Sequence, residues 1–119
     1  MLKLLAVPVV AGALVAAGSS AFAAGPQTIT GTVGPGFTIT LKQHGRNVSA
    51  LPPATYVFVI ADKSNIHNFH LIGPGVNKKT SVAAVGTTTW RLTLRKGTYR
   101  FICDPHATIM KGKFVVKAP

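Results

Sequence analysis

The sequence predicts an all-β fold for residues 24–119, either a β-sandwich or a small barrel. Apolar residues recur at every second position in several segments, which is the pattern of strands with one buried face. No stretch of this region repeats apolar residues with the 3.6-residue period of an amphipathic helix. The chain also contains 12 Gly and 8 Pro, which divide it into short segments. Short strands separated by such turns are typical of a sandwich or barrel.

The predicted strands lie between turn motifs at residues 34–36, 52–53, 73–75 and 96–97. Residues 37–42 alternate, and Phe37, Ile39 and Leu41 are expected on the inner face. Residues 54–61 are β-branched or aromatic on both faces, which predicts a central strand covered on both sides. The other inward-facing residues are Trp90, Leu92 and Leu94, then Tyr99, Phe101 and Cys103 of a hairpin over residues 95–103, and finally Phe114 and Val116.

Residues 1–23 have the features of a secretory signal peptide. Lys3 supplies a short positive region, residues 4–17 are apolar, and Ala21-Phe22-Ala23 is a small-residue cleavage motif. The alternative is a retained membrane anchor, because residues 4–24 carry no charge and are long enough to span a bilayer. This run is rich in Ala, Gly and Ser, so it is only weakly apolar. We therefore predict cleavage after Ala23, export to the periplasm or the extracellular space, and one domain over residues 24–119.

The composition excludes several classes of protein. Apolar residues make up 47% of the chain and charged residues only 13%, which argues against intrinsic disorder. The single cysteine rules out an intramolecular disulfide, a four-cysteine zinc site, an iron–sulfur cluster, c-type haem and a binuclear copper centre held by this chain alone. The formal net charge is +11, yet no basic motif interleaved with aromatic residues indicates nucleic-acid binding.

The single cysteine lies in a motif with metal-ligand spacing. Cys103 is followed by His106 and then by Met110, which gives the pattern C-x2-H-x3-M. Thiolate, imidazole and thioether are the ligand types that suit copper, with the thioether as a weak axial ligand. Asp104-Pro105 favours a turn that folds His106 back towards Cys103. One loop is therefore able to supply three ligands.

A further histidine completes the candidate site. In the predicted strand around residue 69, His67 shares a face with Phe69 and Leu71, whereas His70 lies on the opposite face. Because the neighbours of His67 on its face are apolar, His67 is favoured over His70 as the residue that faces the core and the metal. A bulge in this strand would reverse the two faces. His44 lies in a polar loop and is interpreted as a solvated histidine.

Two other interpretations of the motif are weaker. A lone buried cysteine is commonly a small core residue, but here His and Met follow it at ligand spacing. Zinc could bind Cys103, His67 and His106, but Met110 would then have no role.

These residues resemble the small blue copper proteins, the cupredoxins of the plastocyanin, amicyanin and pseudoazurin group. The resemblance rests on His67-Asn68 and on the aromatic-x-Cys-x-x-His-x-x-x-Met loop before a last strand. It implies a Greek-key β-sandwich and a type 1 copper ion bound by four residues: His67, Cys103, His106 and Met110. It also implies that Asn68 ties the two ligand-bearing segments together by hydrogen bonds.

The chain departs from the family pattern at two positions. Three residues separate His106 from Met110, where the familiar members have two or four. Asp104 follows the cysteine, where Ser or Thr is common. Both departures concern the loop conformation and the partner of Asn68 rather than the identity of the ligands.

The function implied is that of an exported, monomeric one-electron carrier that exchanges electrons with a redox partner protein and is not an enzyme. The alternative is a periplasmic copper carrier without a redox partner. We expect no nucleic-acid partner and no stable membrane insertion after signal cleavage. Arg91, Arg95 and Arg100 are expected at outward positions of adjacent strands, with Lys96 at the turn. They form either a solvated face or a docking face for an acidic partner or an anionic surface.

Overall fold

The computed structural model describes residues 25–119, which form ten strands and one short 3₁₀ helix. The predicted signal peptide, residues 1–23, lies outside the described residues. The strands are β1 (Gln27–Val33), β2 (Ile39–Gln43), β3 (Arg46–Asn47), β4 (Ala50–Leu51), β5 (Ala54–Asp62), β6 (His70–Gly73), β7 (Val76–Lys79), β8 (Gly86–Leu94), β9 (Gly97–Ile102) and β10 (Lys111–Val116). The 3₁₀ helix covers Asp104–His106, between β9 and β10.

The strands form two five-stranded sheets that pack face to face. The first sheet has the order β3-β2-β1-β5-β8, and the second has the order β4-β10-β9-β6-β7. Most neighbours are antiparallel, but β1 pairs with β5, and β4 with β10, in parallel. The inner faces of both sheets contribute to one apolar core, which includes Phe58, Leu71 and Phe114. The prediction of an all-β Greek-key sandwich is confirmed.

The alternation of apolar residues places most side chains as the sequence predicted. Trp90 and Leu94 of β8, Tyr99 and Phe101 of β9, and Phe114 of β10 are all buried. Because successive side chains of a strand point to opposite faces, the residues between them lie on the solvent side. The two inner faces therefore assemble from a period-2 pattern that is visible in the sequence.

The prediction for Phe37 is wrong. Phe37 precedes β2 in a bend, and 56% of its surface is exposed. Gly34-Pro35-Gly36 begins a loop that returns to the sheet only at Ile39. Phe37 is therefore a loop residue rather than the first core residue of a strand.

The central strand β5 is covered less completely than predicted. Its inward residues, among them Tyr56, Phe58 and Ile60, are buried. The alternate residues, including Val57 and Val59, are only half-buried, because the sandwich has two layers and nothing in the described residues forms a third. Neighbouring strands β1 and β8 shield this outer face from the sides only.

The expected hairpin over residues 95–103 is also wrong. Strand β8 pairs with β5 in the first sheet, whereas β9 pairs with β10 and β6 in the second. The connection at Arg95–Lys96 therefore crosses from one sheet to the other. As a result, Arg91 and Arg100 lie on opposite outer faces of the sandwich, and the three arginines do not form one surface.

The crossing between the sheets is fixed by Tyr99. Its hydroxyl accepts a hydrogen bond from the Arg95 backbone N–H at 3.0 Å and donates to the Arg95 carbonyl at 2.8 Å. The Pro74 carbonyl oxygen lies 3.3 Å from the same hydroxyl. This arrangement resembles the tyrosine corner of other β-sandwiches. These hydrogen bonds fix the start of β9. They therefore also fix the position of Cys103, which directly follows the other end of the strand.

Among residues 25–119, no helix is both long enough and apolar enough to cross a lipid bilayer.

An aromatic ring of β9 packs directly on a glycine of β10, and substitution of this glycine tests the packing of the sandwich. Gly112 of β10 lies opposite Phe101 of β9, and a Cβ atom on Gly112 would overlap the Phe101 ring. We expect Gly112→Ala to lower the free energy of unfolding by about 2 kcal/mol, because overpacking forces the ring or the strand to shift. Denaturant unfolding measures this change.

Gly36→Ala is the matched control, since nothing lies within 4 Å of a Cβ at that position. A loss of stability as large in Gly36→Ala as in Gly112→Ala would contradict this account of the packing.

Candidate metal centre

Two segments meet at one end of the sandwich and carry the candidate ligands. Residues 67–69 lead into β6, and residues 103–110 connect β9 to β10. Because β6 and β9 are adjacent strands in the second sheet, with His70 opposite Ile102, the two segments leave the sheet side by side. The topology thus brings residues that are 36 positions apart in the sequence into one place.

The loop between β9 and β10 is closed by its own backbone. The Cys103 N–H donates to the Met110 carbonyl at 3.0 Å, and the Met110 N–H donates to the His106 carbonyl at 2.8 Å. The His106 N–H in turn donates to the Cys103 carbonyl at 3.0 Å, which closes the 3₁₀ turn. Pro105 lies in the first turn of this helix, where a missing N–H costs nothing. The turn predicted from Asp104-Pro105 therefore forms and folds His106 back towards Cys103.

Three donor atoms converge at this end. His67 Nδ1 lies 3.1 Å from His106 Nδ1, and Cys103 Sγ lies 3.7 Å and 3.6 Å from these two nitrogens. A point equidistant from the corners of such a triangle is about 2.0 Å from each, which is the usual metal–imidazole distance and slightly short for metal–thiolate. The donor triangle of His67, Cys103 and His106 therefore fits one metal ion.

The donor triangle is largely shielded from water. Cys103 and His67 are completely buried, whereas His106 is only half-buried. The Nε2 atom of His67 is buried and has no hydrogen-bond partner among the described residues. The Nδ1 atom faces the triangle and is the ring nitrogen with polar neighbours, His106 Nδ1 and Cys103 Sγ. His106 is the member of the triangle that reaches the surface.

Met110 ends the ligand-bearing loop. Its side chain is buried, and its backbone is hydrogen-bonded to both Cys103 and His106. The three-residue spacing after His106 is accommodated by consecutive turns, since the N–H groups of Ile109 and Met110 both donate to the His106 carbonyl. The loop thus brings Met110 back beside Cys103, directly before β10.

Asn68 ties the two segments together. Its side-chain oxygen accepts a hydrogen bond from the Asp104 N–H at 2.7 Å, and its side-chain nitrogen donates to Asp104 Oδ2 at 2.7 Å. Its backbone N–H points at Cys103 Sγ at 3.5 Å, and its side chain also donates to the Thr80 carbonyl at 3.3 Å. The cross-tie implied by the family resemblance is therefore present, and a carboxylate at position 104 adds a second hydrogen bond to it.

His70 lies outside the donor triangle and holds Asp104 instead. Its Nδ1 is 2.8 Å from Asp104 Oδ1, and its Nε2 is 2.6 Å from Asn77 Oδ1. Both ring nitrogens therefore face oxygen acceptors. Parity reasoning separated His70 from His67, but it did not reveal this role. The feature of the sequence that could have indicated this role is the carboxylate at position 104, beside the cysteine, because a carboxylate accepts hydrogen bonds from a histidine ring.

Asp104 is stabilised in its charged form. Partial burial acts to raise the pKa of Asp104, but hydrogen bonds from His70 and Asn68 outweigh it. Electrostatic interactions with His70 and Lys79 also lower the pKa of Asp104. The net result is a pKa below the usual value for an aspartate, so the cross-tie operates with a carboxylate at neutral pH.

Phe37 covers both imidazole rings, which sequence reasoning missed. Its ring centroid lies 5.0 Å from that of His67 and 4.9 Å from that of His106, in edge-on arrangements. Such contacts are favourable between rings and restrict how far either ring tilts. The Gly34-Pro35-Gly36 sequence before Phe37 was the signal that this residue belongs to a loop at the end of the sandwich.

Comparison with known families places these observations in context. Residues 13–117 match the family of copper binding proteins described as plastocyanin/azurin. No curated protein matches the chain.

The fold is similar to that of rusticyanin, a copper protein. The rusticyanin of Thiobacillus ferrooxidans is 26% identical over 76% of both chains, with a TM-score of 0.56. A reduced rusticyanin is 25% identical over 79% of this chain and 82% of its own, with a TM-score of 0.57. A third rusticyanin structure, at 2.1 Å resolution, is 23% identical over 76% of both chains with a TM-score of 0.58, and supports the fold alone.

The two histidines of the 67–70 segment are expected to respond differently to replacement. His67→Ala removes a corner of the donor triangle and should abolish the visible absorption of the Cu(II)-loaded protein. His70→Ala leaves the triangle complete and should retain the absorption band, because His70 contacts only Asp104 and Asn77 among the groups given above. Visible spectra of the two loaded variants make the comparison. The reverse result would mean that the parity of this segment is wrong.

The cross-tie predicts a pH-dependent contribution to stability. Because the folded-state pKa of Asp104 is lowered, its stabilisation is present above the unfolded-state pKa and is lost as the pH falls through the folded-state pKa. Asp104→Ala should lower the free energy of unfolding at pH 7 by about 1 kcal/mol, since partial exposure lets water replace part of the lost bonding. Denaturant unfolding of the metal-free protein between pH 7 and pH 2 measures it.

The wild-type protein should lose this increment in acid, and Asp104→Ala should not. Equal acid dependence of the two proteins would contradict the assignment.

Proposed function

This chain belongs to the plastocyanin/azurin family of copper-binding proteins, and we propose that it is an exported one-electron carrier. Its cofactor is copper, held in a type 1 arrangement. The observation that carries the proposal is the donor triangle, in which one thiolate and two imidazole nitrogens converge at the end of a rigid sandwich. When bound, copper supplies a one-electron couple between Cu(II) and Cu(I) and no group-transfer chemistry.

We assign the ligand roles as follows. Cys103 binds as the thiolate, and His67 and His106 bind through Nδ1, the atoms that face one another in the triangle. Met110 would be the fourth and weakest ligand, a role supported by its burial and by the hydrogen bond that its carbonyl accepts from the Cys103 N–H. A thiolate with two imidazoles and a distant thioether is the donor set of a blue copper electron-transfer site.

The protein keeps the ligands in one arrangement. Asn68 bridges to Asp104, and Asp104 is in turn held by His70. The Asn68 N–H aimed at Cys103 Sγ stabilises negative charge on the sulfur. With buried ligands and a closed loop, little side-chain movement is available between the two oxidation states. Small rearrangement on gain or loss of an electron favours fast transfer.

His106 is the route by which the electron leaves. It is the half-exposed ligand, and exposed apolar side chains surround it: Phe37 packs against its ring, and Ile109 is 64% exposed. Pro105 and Ala107 flank it in the loop. An apolar rim of this kind suits brief contact with a partner, because it is desolvated easily and makes few directional bonds.

Electron transfer is favoured over catalysis and over copper delivery. The four proposed ligands leave no coordination position for a substrate, so we propose no enzymatic activity. A carrier that hands copper to an acceptor needs ligands that a second protein reaches, but Cys103, His67 and Met110 are buried. The burial of these three residues is the observation that favours the electron carrier over the carrier of copper.

Export completes the proposal. Residues 1–23 have the features of a cleaved signal, and residues 24–119 form the copper-binding domain. We place the domain in the periplasm or outside the cell, as a monomer that meets a redox partner protein.

The thiolate assignment predicts a spectral result. The Cu(II)-loaded protein should show an intense visible thiolate-to-copper charge-transfer band. Cys103→Ser should abolish it, because a hydroxyl is a poor substitute for a soft thiolate. Visible absorption and EPR of both loaded proteins test this. Val48→Ala, a core change in the connection between β3 and β4, serves as a control for general destabilisation and should keep the band. A colourless Cu(II) adduct of the wild-type protein would overturn the type 1 assignment.

A further inference from the structure

The outer face of the second sheet concentrates positive charge. The strand registers align residues in two rows across this face, and in both rows a cation stands on β10. The first row is Lys111, Ile102, His70 and Lys79, and the second row is Lys113, Arg100, Ile72 and Asn77. We call these eight residues the basic face. Its lysines and its arginine are all exposed.

The basic face has little compensating negative charge. The whole chain contains two carboxylate side chains, Asp62 and Asp104. Asp62 is buried at the end of β5, and both oxygens of Asp104 are engaged by Asn68 and His70. Arg100 and Lys113 stand directly opposite each other on neighbouring strands. Like charges in this position destabilise a sheet, so the fold itself gains nothing from the pair.

The first sheet is different. Its outer face is formed mainly by threonine and half-buried aliphatic side chains, with Thr55 opposite Thr93 and Val59 opposite Thr89. Arg91 is opposite Val57, so it has no cation beside it in the register. Lys42 of β2 is a second exposed cation on this outer face, whereas the basic face carries four, so positive charge is distributed unevenly between the two outer faces.

A groove joins the basic face to the copper-binding loop. It has a volume of about 640 Å³, and the exposed cations Arg100, Lys111 and Lys113 line it together with half-buried Ile102 and Ala107. Ala107 directly follows His106 in the loop. A group bound in the groove is therefore placed beside the residue through which the electron leaves.

We propose that this groove and the basic face form the docking surface for an acidic segment of a partner protein. Carboxylates of the partner would pair with Arg100, Lys111 and Lys113, and its apolar side chains would contact Ile102 and Ala107. The inference deepens the proposed electron-carrier function by naming the chemistry of the partner. Charge complementarity of this kind speeds encounter and fixes the orientation of docking.

A protein segment fits this surface better than a lipid bilayer does. The surface is concave, and its apolar groups lie at half-buried positions rather than projecting outward. A bilayer presents a flat array of headgroups and is penetrated by projecting apolar side chains, whereas the apolar residues of the groove, Ile102 and Ala107, are half-buried. A protruding chain segment with Asp or Glu side chains is able to enter the groove.

The test measures binding and does not depend on electron transfer. The copper(I)-loaded protein is titrated with an octaglutamate peptide at low salt, and its backbone NMR shifts are followed. The first variant is Arg100→Gln/Lys113→Gln. The matched control is Lys42→Gln/Arg91→Gln, which removes the same charge from the first sheet. We expect the peptide to bind about fivefold more weakly to the first variant and less than about twofold more weakly to the control.

Other results would overturn the proposal. Equal weakening in both double variants would mean that net charge alone attracts the peptide, and shifts centred on the first sheet would place the site elsewhere. Tighter binding to phosphatidylglycerol vesicles than to the peptide, lost on the same two substitutions, would identify the face as a membrane surface. The visible band of the same variants loaded with Cu(II) is an independent readout of the metal site, so a failed docking surface remains distinguishable from a failed copper site.

If the first variant folds poorly, Lys79→Gln/Lys111→Gln is used instead, because it removes the cations of the other row. We expect the same weakening of peptide binding, about fivefold, in this variant.

Discussion

The hydrogen bonds of one amide side chain hold the metal centre together. Asn68 bonds to Asp104 through both ends of its amide group, and it also directs its backbone N–H at Cys103 Sγ. These contacts join the segment before β6 to the loop after β9. Both segments lie beyond the ends of their strands, where no ladder of backbone hydrogen bonds fixes them to each other. Without the cross-tie, the sheet register would bring His67 close to Cys103 but would not set the distance between them.

One of the two hydrogen bonds between Asn68 and Asp104 depends in turn on the Asp104 carboxylate, whereas the other uses the Asp104 backbone N–H. A serine or threonine after the cysteine has one hydroxyl, whereas a carboxylate has two oxygens and accepts from Asn68 and His70 at once. His70 thereby extends the network to Asn77 on β7, the edge strand of the second sheet. Hydrogen bonds to a charged group are stronger than those between neutral groups. The departure from the common family residue therefore strengthens the connection rather than removing it.

The inner and outer faces of the sandwich differ in composition: the inner faces are apolar, and the two outer faces differ from each other in charge. The inner faces carry the apolar core, and either outer face could have carried the charge. Four exposed cations, Lys79, Arg100, Lys111 and Lys113, instead lie on the outer face of the second sheet, whose strands β9 and β10 also support the copper-binding loop. In the proposed electron transfer, an encounter guided by charge would end beside His106, the half-exposed ligand proposed as the exit of the electron. The crossing at Arg95–Lys96, fixed by Tyr99, is what divides Arg91 from Arg100 and creates this asymmetry.

Sequence patterns determined the β class, most of the core and the chemistry of the site. Alternation identified Trp90, Tyr99, Phe101 and Phe114 as inward residues, because side-chain direction within a strand depends only on neighbours in the chain. The spacing of Cys103, His106 and Met110 indicated a soft-metal loop for the same reason, since all three lie in one short segment. The pairing of β8 and β9 with different sheets, the place of Phe37 over the imidazoles, and the clamp of His70 on Asp104 were decided by the tertiary structure. Each of these depends on contacts between segments far apart in the chain, and local periodicity carries no information about which distant segment a strand end or loop will meet.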